Sequence, residues 1–465
     1  MSRVTATTGP LWPRLGRLLG SLVEWPIRRK FAQSHIYQLQ SPQAQSVLHR
    51  AQAKLAAGDE LLLAGLGLSG HNSGASLIRA TQSAGIEFLA SDEEERFTGI
   101  KHYSKFPEHS LRVFEQRLQL LGKQPRDVDA WCLSWDYIAF GKTSATTLAE
   151  QLPFSWRNAL PGANSALPYF ETQYGARSSA ERLTEMFQLG SSPVFIAMPH
   201  HGNHAAFPYA VSPFAHDGEP TLVLVIDGMG DRGSVSIYRG DRDGLHLLYC
   251  NESVVDSLGV FYTTISSTQG GWTCLSSEGR YMGAAAWGDG NRLSNKFYRL
   301  LRELLHFGQN GAVLANRKLA NWQNSGELDP YQPALAQLIG PPIPQDQMWN
   351  PDAVLNVDDV DHAEVTQDRV DLAAATQLVF EDALAHILDH WIRTTGIDRL
   401  VISGGAALNC VANMQMLDCF DRRWYQRHLG RDTQLQLWVP PVPGDAGVSI
   451  GAACQFAFAA GAKSG

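Results

Sequence analysis

Two stretches of the chain share one order of features: a short apolar run, a glycine-rich polar turn and a second apolar run. The first covers residues 61–78 and the second covers residues 221–238. Short apolar runs bounded by glycine predict buried β-strands that pair across the turn. Gly74–Ile78 and Gly233–Ile237 also match in pattern. Because the unit occurs twice, it predicts a duplicated architecture, although any two β-hairpins share some of this pattern.

Further apolar runs and helical periodicities extend this pattern. They predict strands at Gly85–Ala90, Val128–Leu133, Pro193–Ala197, Leu400–Ser403 and Leu435–Val439. They predict helices at Glu108–Leu121, Ser179–Gln188, Lys296–Leu305, Asp368–Thr395 and Ala446–Ala460. Strands that end in glycine-rich turns and lead into helices predict an α/β fold that binds ligands at the strand ends.

Composition excludes several classes of protein. The 465 residues carry 38 basic and 46 acidic side chains, a net charge of −8, so nucleic-acid binding is not expected. No apolar run reaches the ~18 residues that a membrane span needs. The six cysteines form no CxxC pair, and a chain of this length needs no disulfides to fold. We therefore expect reduced thiols and a cytoplasmic protein without a transmembrane segment.

The N-terminal segment mixes basic and apolar residues. Leu18, Leu22 and Trp25 are followed by Arg28 and Arg29. This pattern fits a short amphipathic helix on a membrane surface. It also fits a segment that packs on the body of the protein or on a partner. We favour the second interpretation because a proline at position 26 is expected to cut the helix short.

Three histidines, at positions 200, 201 and 204, follow a predicted strand directly. On a helix, His200 and His204 lie on one face, where both imidazoles can bind one metal ion. Histidines at this spacing also occur by chance, and then they pack or cap. A divalent ion would need carboxylates to complete its shell. Asp227 and Asp445 each follow a strand in a glycine-rich turn and are the candidates; the alternative for each is an Asx turn or a helix N-cap.

Glycine-rich turns occur at Asp227–Asp231, Ser403–Asn409 and Gly444–Gly447. Glycine lets backbone N–H groups approach a phosphate closely, and a helix N-terminus favours negative charge. Each turn alone is weak evidence, but three of them with a doubled strand unit predict a two-lobed nucleotide site. Arg280, within the motif Glu278–Gly283, could bind a phosphate or a carboxylate, or could form a surface ion pair.

A charged run, Asp92–Glu95, follows the third predicted strand and precedes Lys101 and His102. Such runs usually form a solvated face of the protein. At a strand end beside a lysine and a histidine, the run could instead bind a polar substrate. His71 lies in the first glycine-rich turn, where a lone histidine usually has a structural role.

Taken in this order, the motifs resemble those of the O-carbamoyltransferase family, which includes the nodulation protein NodU and the cephalosporin and tobramycin carbamoyltransferases. The resemblance covers roughly residues 61–460. The matching motifs are Gly67–Ala75, Glu94–Thr98 with Lys101 and His102, His200–His204, Ile226–Asp231, Ser257–Tyr262, Glu278–Gly283, Gly404–Asn413 and Pro443–Gly447.

The resemblance implies a fold. The matching region is similar to the family's first domain, which is similar to the tRNA threonylcarbamoyltransferase subunit. That implies the α/β, two-lobed fold of the actin/sugar-kinase/Hsp70 superfamily with helical insertions. We expect an N-terminal extension at residues 1–60, lobe I at 61–215, and lobe II at 216–465 with a helical insertion at about 291–365.

The resemblance also implies site residues. A metal, Fe2+ or another divalent ion, would be held by His200, His204, Asp227 and Asp445. Carbamoyl-adenylate, formed from ATP, would bind between the lobes, and its carbamoyl group would pass to a small-molecule acceptor. The expected nucleotide-binding residues are Gly228, Gly230, Glu278, Gly279, Gly404, Gly405, Asn409 and Gly444. The expected catalytic residues are His71, Asn72, Lys101, His102 and Arg280.

Three departures from the family pattern stand out. Asn72 occupies the position of an aspartate, which could alter how the acceptor is activated or recognised. Arg280 replaces a lysine, which keeps the charge but changes a point charge into a planar fork. The chain reaches Gly465 only ~20 residues after Asp445, so we expect it to lack the YrdC-like domain that, as the resemblance implies, makes carbamoyl-adenylate in the family.

Three functions follow from these observations. The first is transfer of a carbamoyl group to a hydroxyl or amine of a natural product, with the adenylate supplied by a separate YrdC-like protein. The second is a different ATP-linked or acyl-linked reaction on the same scaffold, which the departures at 72 and 280 favour. The third is a non-catalytic, nucleotide-binding partner subunit. A homodimer is possible in each case.

Overall fold

The computed structural model describes residues 11–68, 70–150, 167–190, 193–320, 330–360 and 364–463. These residues form a mixed α/β protein with two large sheets. No helix among them is both long enough and apolar enough to cross a lipid bilayer.

Six strands form the first sheet. They are β1 (Ile36–Gln38), β2 (Leu61–Gly67), β3 (Gly74–Thr81), β4 (Gly85–Glu93), β5 (Ala130–Leu133) and β6 (Phe195–Ala197). Their order across the sheet is β1-β6-β5-β2-β3-β4. The strands β1, β6, β5 and β2 are parallel, whereas β3 and β4 continue from β2 as antiparallel hairpins.

The second half of the chain forms a five-stranded sheet and a small hairpin. The strands are β7 (Thr221–Ile226), β8 (Val235–Asp241), β9 (Gly244–Cys250), β10 (Leu305–Phe307), β11 (Val313–Ala315), β12 (Arg399–Ser403) and β13 (Gln436–Trp438). The sheet has the order β13-β12-β7-β8-β9, and β10 pairs with β11. The strands β13, β12 and β7 are parallel, and β8 and β9 are antiparallel.

The two sheets repeat one topology, as the doubled strand–turn–strand unit predicted. The order β6-β5-β2-β3-β4 matches the order β13-β12-β7-β8-β9. The corresponding strands follow one another in the same order along the chain and run in the same relative directions. Even the irregularities correspond, because the register shifts between Leu77 and Ile78 on β3 and between Ile237 and Tyr238 on β8. β-Bulges and similar register shifts are conserved within protein families, so the same shift at corresponding positions of the two sheets supports duplication.

Helices cover and connect the sheets. They are α1 (Leu11–Gln33), α2 (Pro42–Ala56), α3 (Glu95–Thr98), α4 (Glu108–Leu120), α5 (Tyr137–Glu150), α6 (Leu167–Phe187), α7 (His200–Ala210), α8 (Leu258–Gly270), α9 (Glu278–Ala285), α10 (Tyr298–Arg302), α11 (Pro333–Ile339), α12 (Glu364–Thr395), α13 (Cys410–Cys419), α14 (Arg422–Leu429) and α15 (Val448–Ala459).

The expectation that Pro26 cuts the first helix short is wrong. Helix α1 continues through Pro26 to Gln33. Proline lacks an N–H, which leaves the carbonyl one turn earlier, at Leu22, without its helical donor. Leu22 and Pro26 are both exposed, so water can satisfy that carbonyl. The other face of α1 packs on α5 through buried residues such as Ile27 and Phe31.

The helix predicted at Lys296–Leu305 is shorter than expected. Helix α10 ends at Arg302, and Leu305 belongs to β10, which pairs with β11. The segment predicted as a helical insertion therefore contains a β-hairpin as well as the helices α10 and α11. Residues 321–329 and 361–363 of that segment lie outside the described residues.

The segments at the two ends of the chain both pack against the first sheet. Strand β1, from the predicted N-terminal extension, pairs with β6 at the sheet edge. Helix α15, from the predicted second lobe, packs on β2, β3 and β5 and against α7. The apolar residues of this contact, including Leu63, Ile78 and Ala453, form one buried cluster. The division into two lobes remains a prediction.

Glycines permit the close approach of α15. A Cβ added at Gly65 on β2 would lie 1.8 Å from the carbonyl oxygen of Ser449. A Cβ added at Gly451 on α15 would lie 2.2 Å from the carbonyl oxygen of Asn203 on α7. Backbone atoms cannot move aside as a flexible side chain can. The two glycines therefore set how closely α15 lies to β2 and to α7.

We predict that Gly451→Ala destabilises the protein, because the added methyl group would push α15 away from α7. Such overpacking costs about 1–3 kcal/mol, which urea denaturation would reveal as a lower free energy of unfolding. Gly283→Ala on α9 is the matched control, since no atom lies within 4 Å of its added Cβ. An unchanged unfolding midpoint for Gly451→Ala would show that the two helices are not held at this distance.

Candidate metal and nucleotide site

Chemically active side chains collect where the parallel strands of both sheets end. From the first sheet, His71 follows β2, Trp135 follows β5 and His200 follows β6. From the second sheet, Asp227 follows β7 and Asp445 follows β13. The carboxyl ends of parallel strands are the usual ligand-binding edge of such sheets. The site therefore uses corresponding edges of two similar sheets.

Two histidines of α7 lie side by side at this place. Their spacing of four residues puts His200 and His204 on one face of the helix, and both are buried. The two Nε2 atoms are 3.2 Å apart. Each imidazole therefore turns the same ring nitrogen to a common point.

Two aspartates complete the group. Asp227 Oδ2 lies 3.3 Å from His200 Nε2 and 3.5 Å from His204 Nε2. Asp445 Oδ1 lies 3.4 Å from His200 Nε2 and 3.0 Å from His204 Nε2. All four ligand atoms lie within 4.8 Å of one another. An ion bonded at about 2.1 Å to four such atoms needs neighbouring ligands about 3.0–3.4 Å apart. The four side chains therefore fit a divalent metal ion.

The protein orients His200 for this role. Its Nδ1 lies 3.2 Å from the carbonyl oxygen of Ser134, to which an Nδ1–H can donate. That hydrogen bond leaves Nε2 as the lone-pair atom that faces the carboxylates, as in most metal-binding histidines. The indole of Trp135 stacks on the His200 ring with a centroid separation of 3.7 Å. The tautomer and the ring plane are thus both held.

Charge in this group is strongly coupled. Burial opposes protonation of His200, but the carboxylates of Asp445 and Asp227 outweigh it and raise the pKa of His200 to about 10. Burial likewise opposes ionisation of the two aspartates, yet the histidines hold the pKa of both carboxyls well below the usual range. Without a metal ion the group therefore carries protons that a metal ion would have to displace.

A second pair of carboxyl groups lies behind the histidines. Asp231 Oδ2 accepts a hydrogen bond of 3.1 Å from the backbone N–H of His200. Asp136 accepts from Gln38 of β1 at 2.7 and 3.0 Å, and it caps α5 through the N–H of Ala139. Burial and the nearby Asp231 raise the pKa of Asp136 to about 6. Gln38 thus connects the N-terminal segment to Asp136, one of the two carboxyl groups behind the histidines.

Beside the metal group, His71, Asn72 and His102 form a polar chain. His71 Nδ1 lies 2.9 Å from Asp445 Oδ2, and the His71 and His102 rings stack at 4.5 Å. His102 Nδ1 lies 3.2 Å from Asn72 Oδ1, and Asn72 Nδ2 donates to Glu93 Oε1 at 2.8 Å. An aspartate at position 72 could not donate to Glu93. The asparagine therefore allows the Glu93 carboxylate to lie next to this chain.

The charged run at 92–95 divides into different roles. Glu93 faces Asn72, as described, and burial raises its pKa. Glu94 is buried and accepts hydrogen bonds from the backbone N–H groups of His109 and Ser110, so it caps α4. Glu95 accepts a hydrogen bond from the backbone N–H of His102. Glu94 and Glu95 therefore have structural roles, and the run does not form a fully solvated face.

A backbone carbonyl of the second half meets this chain. Lys101 Nζ and His102 Nε2 each lie 3.3 Å from the carbonyl oxygen of Leu275. The N–H of Leu275 donates to Glu278 at the start of α9. The predicted residues Lys101, His102 and Glu278 are thus connected through one residue of the second half.

Arg280 lies on the exposed side of α9. Its Nη1 donates to the carbonyl oxygen of Ser276 at 2.5 Å, and its guanidinium lies 5.0 Å from the ring centroid of Trp349. Among the described residues, Arg280 therefore forms no surface ion pair of the kind considered from the sequence, and these contacts are not to the metal group. A guanidinium on an exposed aromatic ring can still bind an anion with its remaining N–H groups.

The predicted glycine turns differ in how much space they leave. Around Gly228 and Gly279 no atom lies within 4 Å of an added Cβ. Gly230 packs closely on His201, and Gly404 packs on the carbonyl oxygen of Ile226. The N–H of Gly405 donates to Asp227 Oδ1 at 3.0 Å.

The last two predicted nucleotide residues also lie at the strand ends. The turn that holds Gly444 is joined to the neighbouring one by a hydrogen bond from Gly404 N–H to the carbonyl oxygen of Pro443, at 2.9 Å. Asn409 caps α13 through the N–H of Ala412 and exchanges hydrogen bonds with Gln377. Its amide is therefore already engaged, whereas Gly444 borders the candidate metal ligand Asp445.

Sequence reasoning missed three side chains of the site: Trp135, Asp231 and Asp136. Trp135 and Asp136 directly follow β5, and position at a strand end is a signal that could have found them. Asp231 belongs to a glycine-rich turn that was recognised, but its contact with the His200 backbone cannot be inferred from spacing.

Comparison with known proteins decides the family. The sequence model of one protein family, described as "Carbamoyltransferase N-terminus", matches residues 64–454 of this chain. These residues include the whole site. The chain belongs to this family. Its matching motifs are those that hold the candidate metal ligands and the glycine-rich turns.

Several known proteins are similar in sequence to this carbamoyltransferase-family chain. An uncharacterized protein of Synechocystis sp. is 27% identical over 398 residues, covering 83% of this chain and 56% of that protein. Nodulation protein NolNO of Sinorhizobium fredii is 27% identical, covering 83% and 46%. Nodulation protein U of the same species is 28% identical, covering 78% and 57%. The chain thus spans about half the length of the relatives it matches.

Among solved structures, T. kodakarensis HypF matches with 12% identity and a TM-score of 0.36, covering 86% of this chain and 48% of that protein.

We predict that His200→Ala and Asp445→Ala each abolish stoichiometric metal binding, because either change removes one of four ligands. Metal analysis after anaerobic loading with Fe2+ would measure the loss. His49→Ala is the control, because it removes an exposed histidine of α2 that is not one of the four candidate ligands. Bound iron at the wild-type level in both ligand variants would show that the ion, if bound, lies elsewhere.

We also predict that Fe2+ binding strengthens with rising pH. The raised pKa of His200 means that the metal-free site is protonated at neutral pH, and each proton displaced weakens binding about tenfold for each unit that the pH falls. Anaerobic calorimetry between about pH 6 and about pH 8, in buffers of different ionisation enthalpy, would count the protons released. Equal affinity at all pH values without proton release would contradict the assigned ligands.

Proposed function

We propose that this protein is a metal-dependent carbamoyltransferase that moves a carbamoyl group from carbamoyl-adenylate to a hydroxyl or amine of a small-molecule natural product. The observation that carries the proposal is the group His200, His204, Asp227 and Asp445 between glycine-rich turns, in a chain of the carbamoyltransferase family. Both the metal ligands and the turns lie at the carboxyl ends of parallel strands.

The four side chains suit Fe2+ or another divalent ion, because histidine nitrogen and carboxylate oxygen both bind such ions. When bound, the ion supplies Lewis-acid polarisation of the carbamoyl carbonyl. Ser134 and Trp135 hold the His200 ring for that purpose. Asp231 holds the start of the helix through the His200 backbone.

The polar chain beside the metal group is the acceptor side of the proposed reaction. Burial and the neighbouring His71 lower the pKa of His102, so its imidazole is neutral and can accept a proton. In the proposed step the acceptor oxygen bonds to the carbamoyl carbon, and its proton passes to His102 Nε2, because the Nδ1–H donates to Asn72 Oδ1. The bond between the carbamoyl carbon and the phosphate oxygen breaks, and AMP leaves with the bonding electrons. Asn72 orients His102, and Lys101 supplies positive charge beside it, at the carbonyl oxygen of Leu275.

The glycine turns are proposed to bind the adenylate. Gly228 and Gly279 leave open space next to their backbones, and Gly405 lies beside Asp227. Arg280, held on Trp349, would bind a phosphate with its free N–H groups. Asn409 would act by placing the N-terminus of α13, since its own amide is engaged.

We further propose that the fold is that of the actin/sugar-kinase/Hsp70 superfamily, with lobe I near residues 61–215 and lobe II near residues 216–465. The repeated order of the two sheets supports this proposal. The adenylate is proposed to come from a separate YrdC-like protein. The six free cysteines suit the reducing cytoplasm.

The test is a reconstitution of transfer. Purified protein loaded with Fe2+ is incubated with ATP, radiolabelled carbamoyl phosphate and a panel of hydroxyl-bearing and amine-bearing acceptors, with and without a YrdC-like protein. We expect label in an acceptor only when the YrdC-like protein is present. Asp445→Asn, which keeps the size of the side chain, should lower the rate about 100-fold or more. Gly290→Ala should not, because Gly290 is exposed and no atom lies within 4 Å of its added Cβ.

Other outcomes would point to the other functions. Product formed without the YrdC-like protein and without carbamoyl phosphate would indicate a different ATP-linked or acyl-linked reaction, which the asparagine at 72 and the arginine at 280 favour. Tight nucleotide binding without any turnover would indicate a non-catalytic partner subunit.

A further inference from the structure

The outer face of α1 carries an exposed apolar stripe. Leu18, Leu22 and Trp25 are 58%, 63% and 66% exposed. Their spacing of four and three residues puts them on one side of the helix, opposite the face that packs on α5. Three large apolar side chains in a row on one helix face differ from scattered exposed residues, which need no explanation. The stripe is therefore a candidate contact surface.

The inner face fixes the helix in place. A Cβ added at Gly20 would lie 2.0 Å from the Thr146 hydroxyl, and one added at Gly141 would lie 2.7 Å from Ile27 Cδ1. The ring of Phe31 stacks on that of Tyr137 at 5.7 Å. Helix α1 thus lies flat on α5 with its apolar stripe already formed and facing outward. Binding through this stripe would require no folding of the helix.

The charge of α1 is opposite to that of the whole chain. The helix contains five basic residues and one acidic residue, Glu24, whereas the chain has a net charge of −8. Glu24 is already paired with Arg28 and with Lys142 of α5. Arg17, Arg29 and Lys30 are exposed around the stripe. An anionic surface would be attracted to this helix, although the chain as a whole is net acidic.

The stripe also has the composition of a helix that lies at a lipid interface. The Arg29 guanidinium lies 5.7 Å from the centroid of the Trp25 ring. Tryptophan prefers the headgroup region of a bilayer, and arginine beside it pairs with lipid phosphates. A flat helix with Trp and Leu on one side and basic residues around them is typical of interfacial binding.

From these observations we propose that the outer face of α1 binds an anionic membrane surface, with Leu18, Leu22 and Trp25 entering the headgroup region. The proposal does not depend on the enzymatic activity. It places the protein on the membrane peripherally, held by one helix. A partner protein or a second copy of the chain on this face is the competing occupant that the test must separate.

The test is vesicle flotation of the full chain. One set of vesicles contains phosphatidylcholine alone, and the other contains about one-third phosphatidylglycerol. We expect flotation with the anionic vesicles and not with the neutral ones. Raised salt should reduce it, because exposed charges are screened. Absence of flotation with anionic vesicles would overturn the proposal.

Variants locate the surface. The double variant Leu22→Ser with Trp25→Ser should lower partitioning at least about tenfold, because each large side chain contributes apolar burial. Arg29→Gln with Lys30→Gln should lower it about tenfold on anionic vesicles, since each basic residue near the surface contributes. Leu293→Ser, at a site that is 84% exposed, removes an apolar side chain elsewhere and should leave flotation unchanged.

Two results would overturn the assignment to α1. One is flotation that survives the Leu22 and Trp25 changes. The other is a wild-type dimer in light scattering that these changes convert to monomer while vesicles bind neither form, which would assign the stripe to a second copy of the chain. Unchanged thermal melting of the variants would show that they remain folded.

Discussion

The contact of α15 with α7 and β2 governs the rest of the structure. It depends on two glycines, Gly65 and Gly451, at which the backbones meet without intervening side chains. The contact brings the end of the second sheet onto the first sheet, and it places Asp445 opposite His204. A site made from two sheets needs such a connection, because strand pairing acts within each sheet and not between them. Here one glycine on the strand and one on the helix permit it.

The electrostatics of the site follow from its burial. Two histidines and two aspartates lie largely out of water, where separate charges would be strongly unfavourable. They are tolerated because each imidazole faces a carboxylate, and the pKa values of both partners shift so that the charged forms persist. A divalent ion can take the place of the shared protons. The hydrogen bonds that the His200 ring and backbone donate to the Ser134 carbonyl and the Asp231 carboxylate hold the geometry of His200 in either case.

Much of this arrangement could be predicted from the sequence, because strands, glycine turns and the spacing of His200 and His204 leave local signals. The repeated sheet order was visible as a repeated strand unit. Other features depend on tertiary contacts. The helix continues through Pro26 because its freed carbonyl faces water, and Glu94 is buried because it caps a helix that begins fourteen residues later. Stacking of Trp135 on a histidine joins distant segments, so no local pattern reports it.

The spacing of the ligands along the chain has a consequence for how the site forms. His204 and Asp445 are separated by 241 residues, and the other carboxylate comes from between them. Closing so long a loop is slow compared with forming local hairpins and helices. The two histidines are presented by one helix, while the last carboxylate arrives only when α15 docks on the first sheet. Capture of an ion by this group would therefore require that both halves have folded and docked. A chain shortened before residue 445 would lack one of the four candidate ligands together with the helix that packs on the first sheet.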